Sequence, residues 1–346
     1  MLTVALLASA ALSVTSLPIQ GLHLSAPDSG SVAACADFIR TSLPKEGVNT
    51  LVMEFDYHYR FKTHPEVAES GALSNAEVKR IVRACRDAHV HLIPQINLLG
   101  HQSWAETTDG LLRSHPEFDE TRGKYPGNKG IYCRSYCPLA PGVHRIVFDL
   151  MDELADACES DAFHCGMDEV MILADKDCPR CHGKQTADLF AGEVKALHDH
   201  LRAKGRKMWM WGDRFIDGNT TGIGEWEASG NNTASAIARV PKDIVVCDWH
   251  YDQAVPTAAY FAMAGMPVVS CPWHNSQVAL DELAQIRYIR GKTNEVLAER
   301  ARGVMVTTWV DFSDFLRAYK GDTSASRDAR ESARCFKALY SALRAQ

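Results

Sequence analysis

Asp161-Ala162-Phe163-His164-Cys165-Gly166-Met167-Asp168-Glu169-Val170 reads as a short apolar strand that runs straight into two adjacent carboxylates. Asp-Glu also occurs at 119–120, 152–153 and 281–282, in a loop or in segments of helical periodicity, where a solvated charged face is expected. The pair at 168–169 differs because a half-buried strand does not carry charge to its end without a use for it. Neighbours on a regular strand point to opposite faces. Both carboxylates share one site only if the strand ends there and its pleat breaks. The strand ends at one mouth of a parallel barrel are where that fold keeps its chemistry.

Outward from this strand, apolar β-type runs alternate with helical patterns along the whole chain. Strands are expected at 19–24, 48–55, 90–97, 162–167, 207–211, 244–248, 267–271 and 303–308. Amphipathic helices are expected at 74–89, 145–157, 187–203, 280–297 and 327–343. The first of these opens on Ser74-Asn75-Ala76-Glu77, a capping-box pattern, and carries Val78, Ile81, Val82 and Cys85 on one stripe. Near-continuous apolar strands with helices between them indicate a parallel sheet covered on both faces. Eight such units predict an α/β fold, a (β/α)8 TIM barrel in a single domain over residues 18–346. No glycine-rich phosphate loop follows the first strand, which argues against a dinucleotide fold.

The chain has 346 residues, 46% hydrophobic and 23% charged, enough for one large core. Its net charge is −6 and no Lys or Arg run stands out, so nucleic acid is not an expected partner. Residues 1–17, beginning MLTVALLASAALSVTS, read as a signal peptide with cleavage near Ala10 or Ser16, which implies a secreted or periplasmic protein. The lack of Lys or Arg at its start leaves a plain N-terminal tail as the other reading. No later segment is apolar for long enough to span a bilayer. The 11 cysteines are an odd number and cannot all pair within the chain. Cys85, Cys165, Cys247 and Cys271 sit in apolar runs and are expected in the core. Cys133, Cys137, Cys178 and Cys181 stand apart in loops, where a structural Zn²⁺ site, disulfides and free thiols all remain open. No His cluster has ligand spacing, so neither a catalytic metal nor a cofactor is expected.

In a barrel, the residues just after each strand line one mouth. They include Asp56, Tyr57 and His58; Asn97, Gly100 and His101; Asp168 and Glu169; Trp211, Asp213 and Arg214; Trp249, His250, Tyr251 and Asp252; Trp273 and His274; Trp309 and Asp311. Four of the chain's 7 tryptophans fall at these ends. Indoles beside carboxylates form a wall suited to sugar, whose faces stack on rings while its hydroxyls bond to acids. His164-Cys165-Gly166-Met167-Asp168-Glu169 resembles the signature of glycoside hydrolase family 20, the β-N-acetylhexosaminidases. Pro94-Gln95-Ile96-Asn97-Leu98-Leu99-Gly100-His101 is similar to that family's third-strand motif. Trp211-Gly212-Asp213 and Gly303-Val304-Met305-Val306-Thr307-Thr308-Trp309 resemble its fifth- and eighth-strand ends. The segment 49–60 and Cys178–Cys181 resemble the hexosaminidase D-like branch. The likeness covers roughly residues 19–315.

The resemblance implies exo-acting removal of terminal β-linked N-acetylhexosamine from an oligosaccharide or glycoconjugate, by substrate-assisted, retaining catalysis. Glu169 would be the general acid, then the base. An apolar pocket wall and an adjacent carboxylate help such an acid hold its proton. Asp168 would hold the 2-acetamido group and stabilise the oxazolinium charge. His101 would stand behind Glu169, with Asp56 behind it in turn, and Tyr251 would bond to the acetamide carbonyl. Trp211, Trp249, Trp273 and Trp309 would wall the sugar, with Asp213 and Asp311 among the sugar-binding residues. Gln20-Gly21 stands where many members have a sugar-clamping Arg, and Gln95 and Asn97 stand where acids are usual. Three other readings remain: a non-hydrolytic sugar-binding barrel, a retaining glycosidase of different specificity in which a second carboxylate is the nucleophile, and a metalloenzyme built on the loop cysteines.

Overall fold

The computed structural model describes residues 17–345, so the leader up to residue 16 lies outside the described residues. The strands are β1 (Ile19–Ser25), β2 (Thr50–Glu54), β3 (His91–Leu98), β4 (Ala162–Gly166), β5 (Lys207–Trp211), β6 (Val245–Asp248), β7 (Val268–Ser270) and β8 (Ala301–Val306). Each pairs in parallel with the next, and β8 returns to β1 with Ile19 opposite Gly303, closing a barrel of eight strands. Every strand expected from the sequence is present. The main helices are α1 (Val32–Thr41), α2 (Asn75–Asp87), α3 (Val143–Cys158), α4 (Thr186–Ala203), α5 (Thr257–Met263), α6 (Ser276–Lys292), α7 (Glu295–Arg300), α8 (Phe312–Tyr319) and α9 (Arg327–Arg344). None is long and apolar enough to cross a membrane.

The capping box forms as the sequence implies. The Ser74 hydroxyl accepts from the Glu77 backbone N–H, and the Glu77 carboxylate accepts from the Ser74 N–H at 2.8 Å. The helix expected at 280–297 is instead two helices. Thr293 is extended (φ −113°, ψ −175°), and the Asn294 side chain then caps α7 by accepting from Leu297 N–H at 3.0 Å. The crossover after β5 carries only short helical turns, Asp213–Phe215, Gly218–Thr221 and Ala234–Arg239. Its Gly, Asn and Thr residues favour turns over helix.

Two apolar layers hold the fold. The outer one packs helices onto the strands, while the barrel interior is a separate cluster of Ile19, Val52, Ile93, Ala162, Trp209, Trp211, Val245, Cys247, Val269, Cys271 and Met305. In that interior Gly21 leaves its place to Met305: a Cβ on residue 21 would lie 2.8 Å from the Met305 Cβ. The strand that would have carried an arginine thus has its inward position filled from across the barrel seam.

Candidate active site

At the end of β4 the backbone leaves the extended region. Gly166 (φ 64°), Met167 (φ 70°) and Glu169 (φ 46°) are all left-handed, a conformation that costs a side-chain-bearing residue energy and so needs outside support. That support is visible. The Gly166 N–H donates to His164 Nδ1 at 3.1 Å, and a Cβ on residue 166 would lie 2.3 Å from Asn97 Oδ1. The Glu169 N–H donates to Asp213 Oδ2 at 2.9 Å. Asn231 Nδ2 donates to the Val170 and Met171 carbonyls at 2.7 and 3.2 Å. The pleat breaks, and both acids reach one imidazole.

His101 Nε2 lies 3.3 Å from Asp168 Oδ2 and 3.2 Å from Glu169 Oε2. These are ion-pair contacts, because Nε2 makes no well-aligned hydrogen bond. Asp168 is 8% exposed, and its other oxygen, Oδ1, is buried without a hydrogen-bond partner. His101 (φ 50°) is itself held by Gln102, whose amide donates to the Asn97 and Gly100 carbonyls at 2.7 and 2.9 Å and accepts from Tyr57 Oη at 2.6 Å. Burial opposes charge on His101, but the Asp168 charge and the contacts with both carboxylates outweigh it and raise its pKa well above 6.5. The protonated form of the ring is therefore favoured between the two acids.

A buried polar layer lies beneath. Asn97 Nδ2 donates to Glu54 Oε1 at 2.7 Å, and the Asn97 N–H donates to Asp56 Oδ1 at 2.7 Å. Burial, then repulsion from Asp56 and Asp168, raises Glu54 to about 8, against the pull of Asn97. Asp56 is raised to about 6, first by burial, against hydrogen bonding from Asn97 and the His101 charge. His23 Nε2 lies 3.9 Å from Glu54, and burial lowers His23 to about 4.

The aromatic residues form a continuous arc. Trp211 is wholly buried, with ring centroids 4.6 Å from His164, 5.4 Å from His23 and 5.6 Å from Trp309. Trp309 Nε1 donates to Tyr251 Oη at 2.7 Å, and the Tyr251 ring lies 4.8 Å from Trp249 and 5.3 Å from Trp273. Trp273 is steadied from α9, its Nε1 donating to Ser332 Oγ at 2.7 Å. Asp311 is exposed at the N-terminus of α8 with a free carboxylate. Asp213 departs from expectation: it is 2% exposed, and its oxygens take the Glu169 N–H, Arg214 Nε at 2.5 Å and Trp249 Nε1 at 3.3 Å. These three donors tie Asp213 to the strand end, beneath Glu169.

The loop cysteines also separate. Cys137, Cys178 and Cys181 come together with Glu120, whereas Cys133 lies apart, its Sγ 3.7 Å from the Glu169 carbonyl. No pair is bonded as a disulfide among the described residues. Sequence reading missed Glu54, although its period-two spacing from Asp56 marks it as inward-facing. It also missed Tyr132, whose phenol pKa is raised by burial and then by the nearby Glu169 carboxylate. The Tyr132 ring lies 5.8 Å from His101, 5.6 Å from Trp104 and 4.8 Å from Trp226, the last two largely exposed. No local pattern marks these three loop aromatics as neighbours.

Comparison with known proteins agrees with this geometry. The family model described as glycosyl hydrolase family 20, catalytic domain, matches residues 50–320. A β-hexosaminidase of Porphyromonas gingivalis is 24% identical over 285 residues, covering 72% of this chain and 36% of its own. One of Vibrio furnissii is 24% identical over 193 residues, covering 55% of this chain and 28% of its own. The chain thus spans about a third of the length of these curated relatives. The crystal structure of a chitobiase from Flavobacterium johnsoniae superposes with a TM-score of 0.61 at 17% identity, covering 94% of this chain and 52% of that one. With the motif-bearing strand end in place, the catalytic-domain match over most of the barrel makes this chain a member of glycosyl hydrolase family 20.

Proposed function

We propose that the chain hydrolyses terminal β-linked N-acetylhexosamine from oligosaccharides or glycoconjugates, acting from the non-reducing end. The observation that carries this reading is the pair of adjacent acids on one imidazole, with Asp168 Oδ1 buried and unpartnered at the mouth. A buried acceptor without a donor is costly, and an acetamide N–H supplies the missing donor. Once held there, the acetamide carbonyl oxygen attacks the anomeric carbon, and Asp168 offsets the positive charge that forms on the ring nitrogen. Glu169 gives its proton to the leaving oxygen and later takes one from water. The configuration at the anomeric carbon is retained because it inverts twice. Trp309 and Trp273 supply the half-buried ring faces for the sugar, with Asp311 at the rim. Tyr132, Trp104 and Trp226 stand on the Glu169 side, where the leaving group departs.

The test is a panel of aryl N-acetyl-β-hexosaminides with good and poor leaving groups. Glu169→Gln should lower kcat/KM by about 10²–10⁴-fold for a poor leaving group and far less for one that needs no proton. Asp168→Asn should lose about 10²–10³-fold on acetamido substrates. A 2-hydroxy glycoside should be inert, and turnover of it would sink the substrate-assisted reading. Binding of N-acetylhexosamine without turnover of any glycoside would favour a lectin-like role, which Gln20-Gly21 on β1, in the place expected for a sugar-clamping arginine, would suit. Export is part of this reading and rests on the leader; recovery of the protein in the cytosolic fraction would refute it.

A further inference from the structure

The sulfurs of Cys137, Cys178 and Cys181 and a Glu120 carboxylate oxygen all lie within 4.8 Å of one another. All four residues are 2% exposed or less. The Cys137 and Cys178 sulfurs are 3.7 Å apart, far beyond a disulfide bond of about 2.05 Å. That separation matches the edge of a tetrahedron with metal–sulfur bonds of about 2.3 Å, which is about 3.8 Å. Cys181 Sγ lies 2.7 Å from Glu120 Oε1, while Glu120 Oε2 is buried with no partner. A cluster of three thiols and one carboxylate in an apolar interior is poorly satisfied by its own members. Arg180, inside the Cys178-Pro179-Arg180-Cys181 turn, donates to the Glu117 carbonyl and to the Asp119 carbonyl at 2.9 Å, and against the effect of burial its pKa is raised by Cys137 and Cys178.

We propose that Glu120, Cys137, Cys178 and Cys181 form a structural Zn²⁺ site that staples the loop after β3 to the loop after β4. The soft three-thiolate set selects zinc over magnesium or calcium, and four protein donors leave no position for a reacting water. Binding releases the three thiol protons to solvent, and no electron is transferred. Three thiolates, one carboxylate and Zn²⁺ sum to −2, which the Arg180 guanidinium halves. Cys133 is outside the set. The two loops joined are those that carry Tyr132, Cys133 and the Asp168–Glu169 turn, so the ion would fix the wall of the catalytic mouth without entering the reaction.

The experiment uses the full chain purified without chelator, its metal measured by mass spectrometry and its thiols counted in denaturant. About one zinc per chain is expected. Cobalt in its place should give the intense visible bands of a tetrahedral thiolate site. Cys133→Ser should retain the full metal content, whereas Cys178→Ser with Cys181→Ser should lose it. Should that double variant fail to fold, titrating the wild-type protein with a mercurial should release zinc as three thiols are consumed. Absence of metal with free thiols, a Cys137–Cys178 disulfide in the mass map, or zinc retained by the double variant would each overturn the site. None of these outcomes bears on glycoside turnover, so the two proposals fail separately.

Discussion

Glu54 combines two opposing demands in one side chain. Its carboxyl is raised to about 8 by burial and by Asp56 and Asp168, which favours its protonated form at neutral pH. A carboxyl whose folded pKa exceeds its unfolded value of 4.5 binds more protons folded than unfolded. Its contribution to stability is complete below the unfolded value and is lost as pH climbs towards the folded one. Glu54→Gln should therefore raise the thermal midpoint relative to the parent at pH 8 and leave it nearly unchanged at pH 4, read by calorimetry across that range. Glu282 on α6 follows the same sign. It is 2% exposed, neither oxygen has a partner, and burial raises it well above its ordinary range. Glu282→Gln should likewise stabilise the protein increasingly as the medium becomes alkaline. A flat difference across pH would show that neither group resists ionisation.

Among elements, the end of β4 carries three left-handed residues within four positions. Ala at position 166 would need a left-handed φ and would press on Asn97, which also holds Glu54 and Asp56. Gly166→Ala should lower both the thermal midpoint and kcat, and Asn97→Ala in the same chain should restore part of the midpoint but not the activity. The Ser74 cap is simpler: Ser74→Ala should cost about 1 kcal/mol in denaturant unfolding without touching kinetics. The eight strands were legible because a parallel sheet covered on both sides needs nearly unbroken apolar runs. The acids after β4 were legible because they interrupt such a run. Other acids were misread as solvated. Asp119 and Glu120 are buried against Arg134 and Cys181, and Glu282 is buried under α6, since partners distant in sequence leave no periodic trace. Asp213 was placed at the right mouth, but its hydrogen bonds to the Glu169 backbone, Arg214 and Trp249 were not legible, because sequence shows position and not which groups a carboxylate meets.

At the scale of the whole molecule, α9 fastens the seam where β8 meets β1. Tyr340 Oη donates to the Gly21 carbonyl at 2.7 Å, Ser332 takes the Trp273 indole N–H, and Phe336 is wholly buried against Phe315, Tyr319 and Tyr340. Phe336→Ala should cost about 3–5 kcal/mol, measured as a shift in the urea midpoint at constant slope. Ser332→Ala should leave the midpoint almost in place; if Trp273 walls the sugar as proposed, it should also weaken sugar binding, seen as a higher KM.

The contact between residue 21 and Met305 constrains any later change in the barrel interior. A long side chain introduced at 21 collides with the root of Met305, not its flexible tip, so the first step alone is a loss. Shrinking Met305 alone opens a void in the barrel interior and is also a loss. Only the two exchanges together trade one filled interior for another. This is sign epistasis across the barrel seam, and libraries that vary one codon at a time will not find that packing.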